Sequence, residues 1–191
     1  YPNKEQQSQI EQHFDGCRLV WNLALDVKIQ AYQSNRVQVS RYDLQTQLLD
    51  LKAYCPWLCD VTAQSMQAVL LKLDIAFRSF HKGYGFPKFK SKNGVQSFQY
   101  PQRVRLVGNR IRLPKIGLVD ISISRQFTGV IKTVTISKSQ SGKYFVSVLV
   151  DNGQKLPNKP PVTNENTIGI DLGIKDFAIV STRLKIENPK Y

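Results

Sequence analysis

Cysteine, histidine and long apolar runs are scarce in this sequence. Cys17, Cys55 and Cys59 are too few, and odd in number, for a disulfide framework. Cys55 and Cys59 have only His13 and His81 as other soft ligands, which argues against a zinc site within these residues. Buried free thiols in a reducing compartment are the simpler reading. No stretch approaches the roughly 18 apolar residues of a membrane span, and no secretory leader pattern is visible. A soluble, cytoplasmic protein is expected.

Acidic residues are missing from one stretch in particular. Between residues 75 and 150 there are 14 Lys and Arg but one acid, Asp120. Residues 1–74 carry 7 basic and 8 acidic side chains, and residues 151–191 carry 6 and 5. The formal charge of +13 therefore sits in the middle of the chain. Such a concentration points to a polyanionic partner, nucleic acid first, because each neutralised phosphate releases counterions. A solvated basic face without a partner is the bland alternative. With 41% hydrophobic and 21% charged residues, the chain has enough apolar material for a core.

The first 82 residues read as helices. Asn3 can cap a helix in which Ile10, Phe14, Cys17, Trp21, Ala24 and Leu25 recur at steps of three and four. Ser40 opens a second, with Leu44, Leu48 and Leu51 on one face, ending before Pro56. A third follows Asp60, with Met66, Val69, Leu70, Leu73, Phe77 and Phe80 in line, and stops at Gly83 and Gly85. From Ser97 the period becomes two. Strands are predicted over 97–100, 103–107, 110–113, 118–124, 130–138 and 143–150, suggesting a small β-barrel. Residues 151–166 form a polar, proline-rich linker that includes Pro157 and Asn164. Further strands follow at Thr167–Leu172 and Phe177–Val180.

Two basic segments stand out. A two-residue turn at Gly108-Asn109 pairs Val107 with Arg110, Leu106 with Ile111 and Arg105 with Arg112. Arg105, Arg110 and Arg112 then share one face, with Arg103 and Lys115 at the ends of the hairpin. Opposed arginines repel by some tenths of a kcal/mol, which makes sense if a phosphate lies between them. A slip of register would separate them. In FRSFHKGYGFPKFKSK, the cations Arg78, Lys82, Lys88, Lys90 and Lys92 alternate with aromatic rings. Interleaved cations and rings can clamp phosphates and stack on bases. Phe77 and Phe80 fall on the helix stripe, and Phe86 and Phe89 could equally anchor the loop on the barrel.

The third feature is Gly169-Ile170-Asp171-Leu172-Gly173. A carboxylate amid an apolar strand is costly unless paired or bound to a cation, and the flanking glycines open the backbone to a ligand. Asp176 reads as a turn former.

GIDLGIKDFAIVS closely resembles the first RuvC motif of the TnpB family, transposon proteins related to type V CRISPR effectors. YPNKEQQSQIEQHFDGCRLVWNLAL, SMQAVLLKLDIAFRSF, GFPKFKSK, SFQYP, IRLPKIG and KIENPKY resemble further family landmarks in the expected order. The resemblance implies an α+β fold: a helical REC-type bundle at 1–82, and a WED-type oligonucleotide-binding β-barrel at 83–150. A linker at 151–166 and the start of an RNase H-like (RuvC) α/β domain at 167–191 would follow. It also implies a prokaryotic, nucleoid-associated protein with two partners, a guide RNA from the transposon end and target double-stranded DNA. DNA would be cut beside a transposon-adjacent motif, read by positions matching Gln67, Gln99 and Tyr100. Asp171 matches the first catalytic, Mg²⁺-binding carboxylate. The other carboxylates and a Zn²⁺-holding ribbon are expected after Tyr191, so these residues alone would not cleave.

Three other readings compete. A relative with a decayed nuclease site would be an RNA-guided DNA-binding repressor. An ATP-binding protein of the actin and sugar-kinase type also opens on a GIDLG-like strand, but needs Thr or Ser where Ile174 stands. A plain nucleic-acid-binding module would carry RNA and cut nothing.

Overall fold

Asn3 starts the first helix by accepting from the Gln6 N–H at 2.8 Å, while the Gln6 side chain accepts from the Asn3 N–H, a closed capping box. The computed structural model describes residues 1–155, 158–163 and 165–189. The readings that touched Pro157, Asn164, Lys190 and Tyr191 lie outside the described residues. Helix α1 runs without a break over Lys4–Asn35 and ends at Arg36 in the left-handed region, φ 55°. Ser40 and Asp43 form a second capping box that opens α2, Arg41–Tyr54. A single 3-10 turn at Pro56–Cys59 leads to α3, Ala63–His81. Among the described residues, no helix is long and apolar enough to cross a membrane.

The predicted helical stripes are mostly buried, although Leu51 and Phe77 are half-buried and Phe80, at the end of the third stripe, is exposed. Ile10, Phe14, Cys17, Ala24 and Leu25 on α1 pack with Leu44 and Leu48 on α2 and with Met66, Val69, Leu70 and Leu73 on α3. Gly16 permits a close approach here: a Cβ at that position would lie 2.8 Å from Val61 Cγ2. His13 is enclosed with them. The Thr62 N–H donates to its Nε2 at 3.2 Å, so the proton sits on Nδ1, which donates to the Gln9 carbonyl at 2.8 Å. Burial, above all, holds its pKa below the ordinary histidine value, and nearby Lys115 adds to that.

The strands follow the predicted order: β1 Gln96–Tyr100, β2 Arg105–Val107, β3 Arg110–Leu113, β4 Gly117–Asp120, β5 Val130–Lys138 and β6 Tyr144–Asp151. They do not close into the expected barrel. Among the described residues they make two separate antiparallel sheets, ordered β1-β5-β6 and β2-β3-β4. Closure requires every strand edge to find a partner. Instead β4 ends at Asp120, short of the predicted 124, and residues 121–129 form no strand. Both sheets turn one face to the helices. Phe98, Tyr100, Val134 and Ile136 from the first, and Ile111, Leu113 and Val119 from the second, belong to the same core as the helical stripes. Polar links join the layers: Glu11 Oε1 on α1 accepts from Lys138 Nζ at 2.7 Å and from the Tyr144 hydroxyl at 2.8 Å.

Residues 1–153 form one compact unit and 154–191 a second. In the second, β7 Ile170–Leu172, β8 Asp176–Val180 and β9 Lys185–Glu187 make a small antiparallel sheet. Asp176, expected in a turn, is the first residue of β8 and lies opposite Glu187.

Candidate nucleic-acid interface

The arginine hairpin adopts the register its turn dictates. Arg105 faces Arg112, Leu106 faces Ile111 and Val107 faces Arg110, with Gly108 in the left-handed region at φ 55°. Alternation sends Ile111 and Leu113 into the core and leaves Arg105, Arg110 and Arg112 on the exposed face. The third strand changes the charge balance. Asp120 on β4 lies opposite Arg110 and accepts from its Nε at 2.8 Å. Arg112 faces Leu118 instead, and among the described residues neither Arg105 nor Arg112 has an ion-pair partner. Arg103 and Lys115, which bracket the hairpin, both have left-handed backbone, φ 64° and 66°. For residues with a Cβ this costs on the order of 1 kcal/mol each, and such strain gathers at functional sites.

The candidate cations divide into two sets. Arg78 pairs with Asp74 at 3.2 Å, Arg110 with Asp120, Lys115 donates to the Cys59 carbonyl, and Lys90 Nζ lies 4.0 Å from the centroid of the Trp21 ring. Lys82, Lys88, Lys92, Arg103, Arg105 and Arg112 are exposed, and among the described residues their side chains have no hydrogen bond or ion pair. This second set is free to meet phosphate.

The aromatics of the basic segment separate too. Phe86 lies edge-on to Phe77 and Phe80, with centroids 5.5 and 5.1 Å apart, so it anchors the loop on α3 rather than on a barrel. Phe89 and Tyr84 stay exposed. Of the positions matched to DNA-motif reading, Gln67 is exposed on α3. Gln99 is half-buried, its amide donating to Thr135 Oγ1 at 3.0 Å. Tyr100 is wholly enclosed; its hydroxyl donates to the Pro114 carbonyl at 3.2 Å, and burial raises its pKa. In this structure Tyr100 is a core residue, with no face left for a base.

Asp171 occupies the centre of β7, opposite Ile179, and is exposed. Ser181 fastens the end of that hairpin, donating its N–H to the Gly169 carbonyl at 2.8 Å and accepting from the Gly169 N–H at 3.1 Å. Among the described residues, no three His, Cys, Asp or Glu side chains come together as a metal would require. One carboxylate cannot hold a Mg²⁺ pair, so these residues do not fit that group by themselves. Of the three thiols, Cys17 is buried, which pushes its pKa up to about 12, whereas Cys55 is half-buried and Cys59 exposed, not buried as expected.

Sequence reasoning missed the polar contacts of α1 with the basic loop, directly through Trp21 and Asn22 and by way of Gln96 through Arg18. The available signal was an asparagine in mid-helix, where that residue is disfavoured unless its amide has another task.

Fold and interface together define a mixed α+β chain in which helices and two small sheets share one core, with a hairpin and a loop that present exposed cations. Comparison with known proteins narrows this. A family model described as a helix-turn-helix domain of the OrfB type matches residues 1–36, although here that segment is one continuous helix. "Putative RNA-guided DNA endonuclease InsQ" from Escherichia coli is 31% identical over 185 residues, covering 94% of this chain and 45% of the relative. "Putative RNA-guided DNA endonuclease" from Streptomyces pristinaespiralis is 30% identical over 199 residues, covering 100% and 48%. "Virulence protein VsdF" from Salmonella dublin is 28% identical over 106 residues, 49% of this chain and 89% of that protein. The chain is thus similar over nearly its whole length to two relatives named putative RNA-guided DNA endonucleases, and over its first helix to an OrfB-type model. It spans about half the length of the first two relatives.

Proposed function

We propose that this chain is the guide-RNA- and DNA-handling front part of an RNA-guided DNA endonuclease. The observation that carries the reading is the Arg105–Arg112 pair, two guanidinium groups opposed on an exposed sheet face without a carboxylate between them. Left alone, that arrangement is repulsive; with a phosphate between the forks it is attractive. The names of the two relatives that match nearly the whole chain supply the reaction class.

Within this reading, the sheets of residues 83–150 act as the WED-type oligonucleotide-binding region and the helices of 1–82 as a REC-type region. Residues 167–191 open an RNase H-like domain. Lys82, Lys88, Lys92, Arg103, Arg105 and Arg112 grip the RNA backbone, while Gln67 and Gln99 are the accessible candidates for reading DNA beside the target. Asp171 serves as one ligand of a divalent ion whose remaining ligands the described residues do not provide.

The test is to purify the protein without nuclease treatment and sequence what it carries. An RNA that maps to one end of a transposon supports the reading. A protein free of nucleic acid, or one holding RNA of random origin, counts against it. In the complete protein, Asp171→Ala should abolish DNA cleavage with RNA binding retained. Loss of both would remove the purely catalytic role.

A further inference from the structure

The loop between α3 and β1 is held in place by side chains rather than by its own backbone. Residues 85–91 belong to no helix or strand. Trp21 Nε1 donates to the Lys88 carbonyl at 3.0 Å. Asn22 Oδ1 accepts from the Lys90 N–H at 2.8 Å, and Asn22 Nδ2 donates to the Lys90 carbonyl at 3.0 Å. A single amide thus satisfies both backbone groups of Lys90, as a neighbouring strand would. Further along, the Gln96 amide reaches the carbonyls of Ser91, Lys92 and Gly94 at 3.1, 2.8 and 3.0 Å. Arg18 in turn donates to Gln96 Oε1 at 3.0 Å. Arg18, Trp21 and Asn22 are neighbours on α1 at steps of three and four, so one helix side addresses the whole loop.

The arrangement also sorts the lysines. Lys90 is laid over the Trp21 ring at 4.0 Å, and burial lowers its pKa. Lys88 and Lys92, two residues to either side, are exposed, and their side chains have no partner among the described residues. An untethered loop would have to be ordered when a ligand binds; a tethered one has already lost that freedom.

We propose that Trp21 and Asn22 are positioning residues that fix the loop backbone so that Lys88 and Lys92 meet the phosphates of an RNA strand. This rests on the nucleic-acid reading above. Asn22 is half-buried on a helix, so Asn22→Ala leaves the core intact. Trp21→Phe keeps an aromatic ring but removes the donor together with part of the ring surface beneath Lys90.

The experiment uses the chain and a fluorescein-labelled RNA hairpin with a single-stranded tail. Affinity is measured over a salt series, alongside limited trypsin digestion. Asn22→Ala should weaken binding by roughly tenfold with an unchanged salt slope, because the number of neutralised phosphates stays the same. Trypsin cleavage between Lys88 and Lys92 should accelerate several-fold, with Trp21→Phe shifted in the same direction. The Lys88→Ala, Lys92→Ala double variant should instead reduce the slope by roughly 1.4. Faster cleavage of Asn22→Ala with unaltered affinity would overturn the role in RNA binding. Unaltered cleavage would overturn the clamp itself. If the unmodified chain fails to bind the hairpin, the nucleic-acid reading falls and this inference with it. Binding by the unmodified chain with no effect of Asn22→Ala defeats the inference alone.

Discussion

The two units of the chain use similar strand sequences to very different effect. In residues 1–153, the strands bury what their alternation predicts: Phe98 is 1% exposed, Tyr100 0% and Val134 0%. In β7–β9 and the adjoining turns the apolar side chains lie open, with Ile170 64% exposed, Leu172 71% and Ile174 92%. Only Ala178 is buried there. A small sheet becomes stable by laying an apolar face on another layer, and in the first unit the helices provide that layer. The contrast shows that a strand signal fixes local conformation but not burial, which depends on what packs against the sheet.

The largest effect that would break this comparison is in the core. Phe98→Ala should cost about 3–5 kcal/mol in urea unfolding, whereas Ile174→Ala should stay within about 0.5 kcal/mol. Equal costs would mean that the second sheet is as well packed as the first.

The next effect is one of pH. His13 is neutral in the core, with a native pKa below its unfolded value near 6.5. Above that pH neither state binds the proton, so stability is constant. As pH falls below about 6.5 the unfolded chain takes up a proton that the native chain refuses. Stability then declines by up to about 1.4 kcal/mol per pH unit until the native pKa is reached. His13→Gln should remove this portion of the pH dependence of the urea midpoint; persistence of the full slope would assign it elsewhere.

A smaller effect belongs to the link between helix and sheet. Glu11→Gln weakens the contact to Lys138 and Tyr144, both partly exposed, and should cost about 0.2–1 kcal/mol by the same unfolding measurement. A larger loss would make this polar junction a main support of the fold.

Much of this organisation was legible in the sequence because it depends on local rules. The caps at Asn3 and Ser40, the helical stripes and the Gly108-Asn109 turn each act over a few residues, and each appears where expected. The arginine register follows from the turn alone. What was not legible depends on distant partners. The barrel fails to close because residues 121–129 do not continue β4, which no period reveals. Arg110 is neutralised by Asp120 across a strand pair that the hairpin does not include. The resemblance implies a contact role for Tyr100, yet its position on the inward face of β1 makes it core. The grip of Trp21 and Asn22 on a loop 67 and 68 residues away leaves no periodic trace at all.

The central claim is that the free arginines of the hairpin engage phosphate. The direct measurement is the salt dependence of RNA binding by the chain and by its Arg105→Ala, Arg112→Ala double variant. The account predicts weaker binding and a slope of log affinity against log salt reduced by roughly 1.4, as two phosphate contacts are lost. An unchanged slope would place both arginines outside the interface and contradict the account.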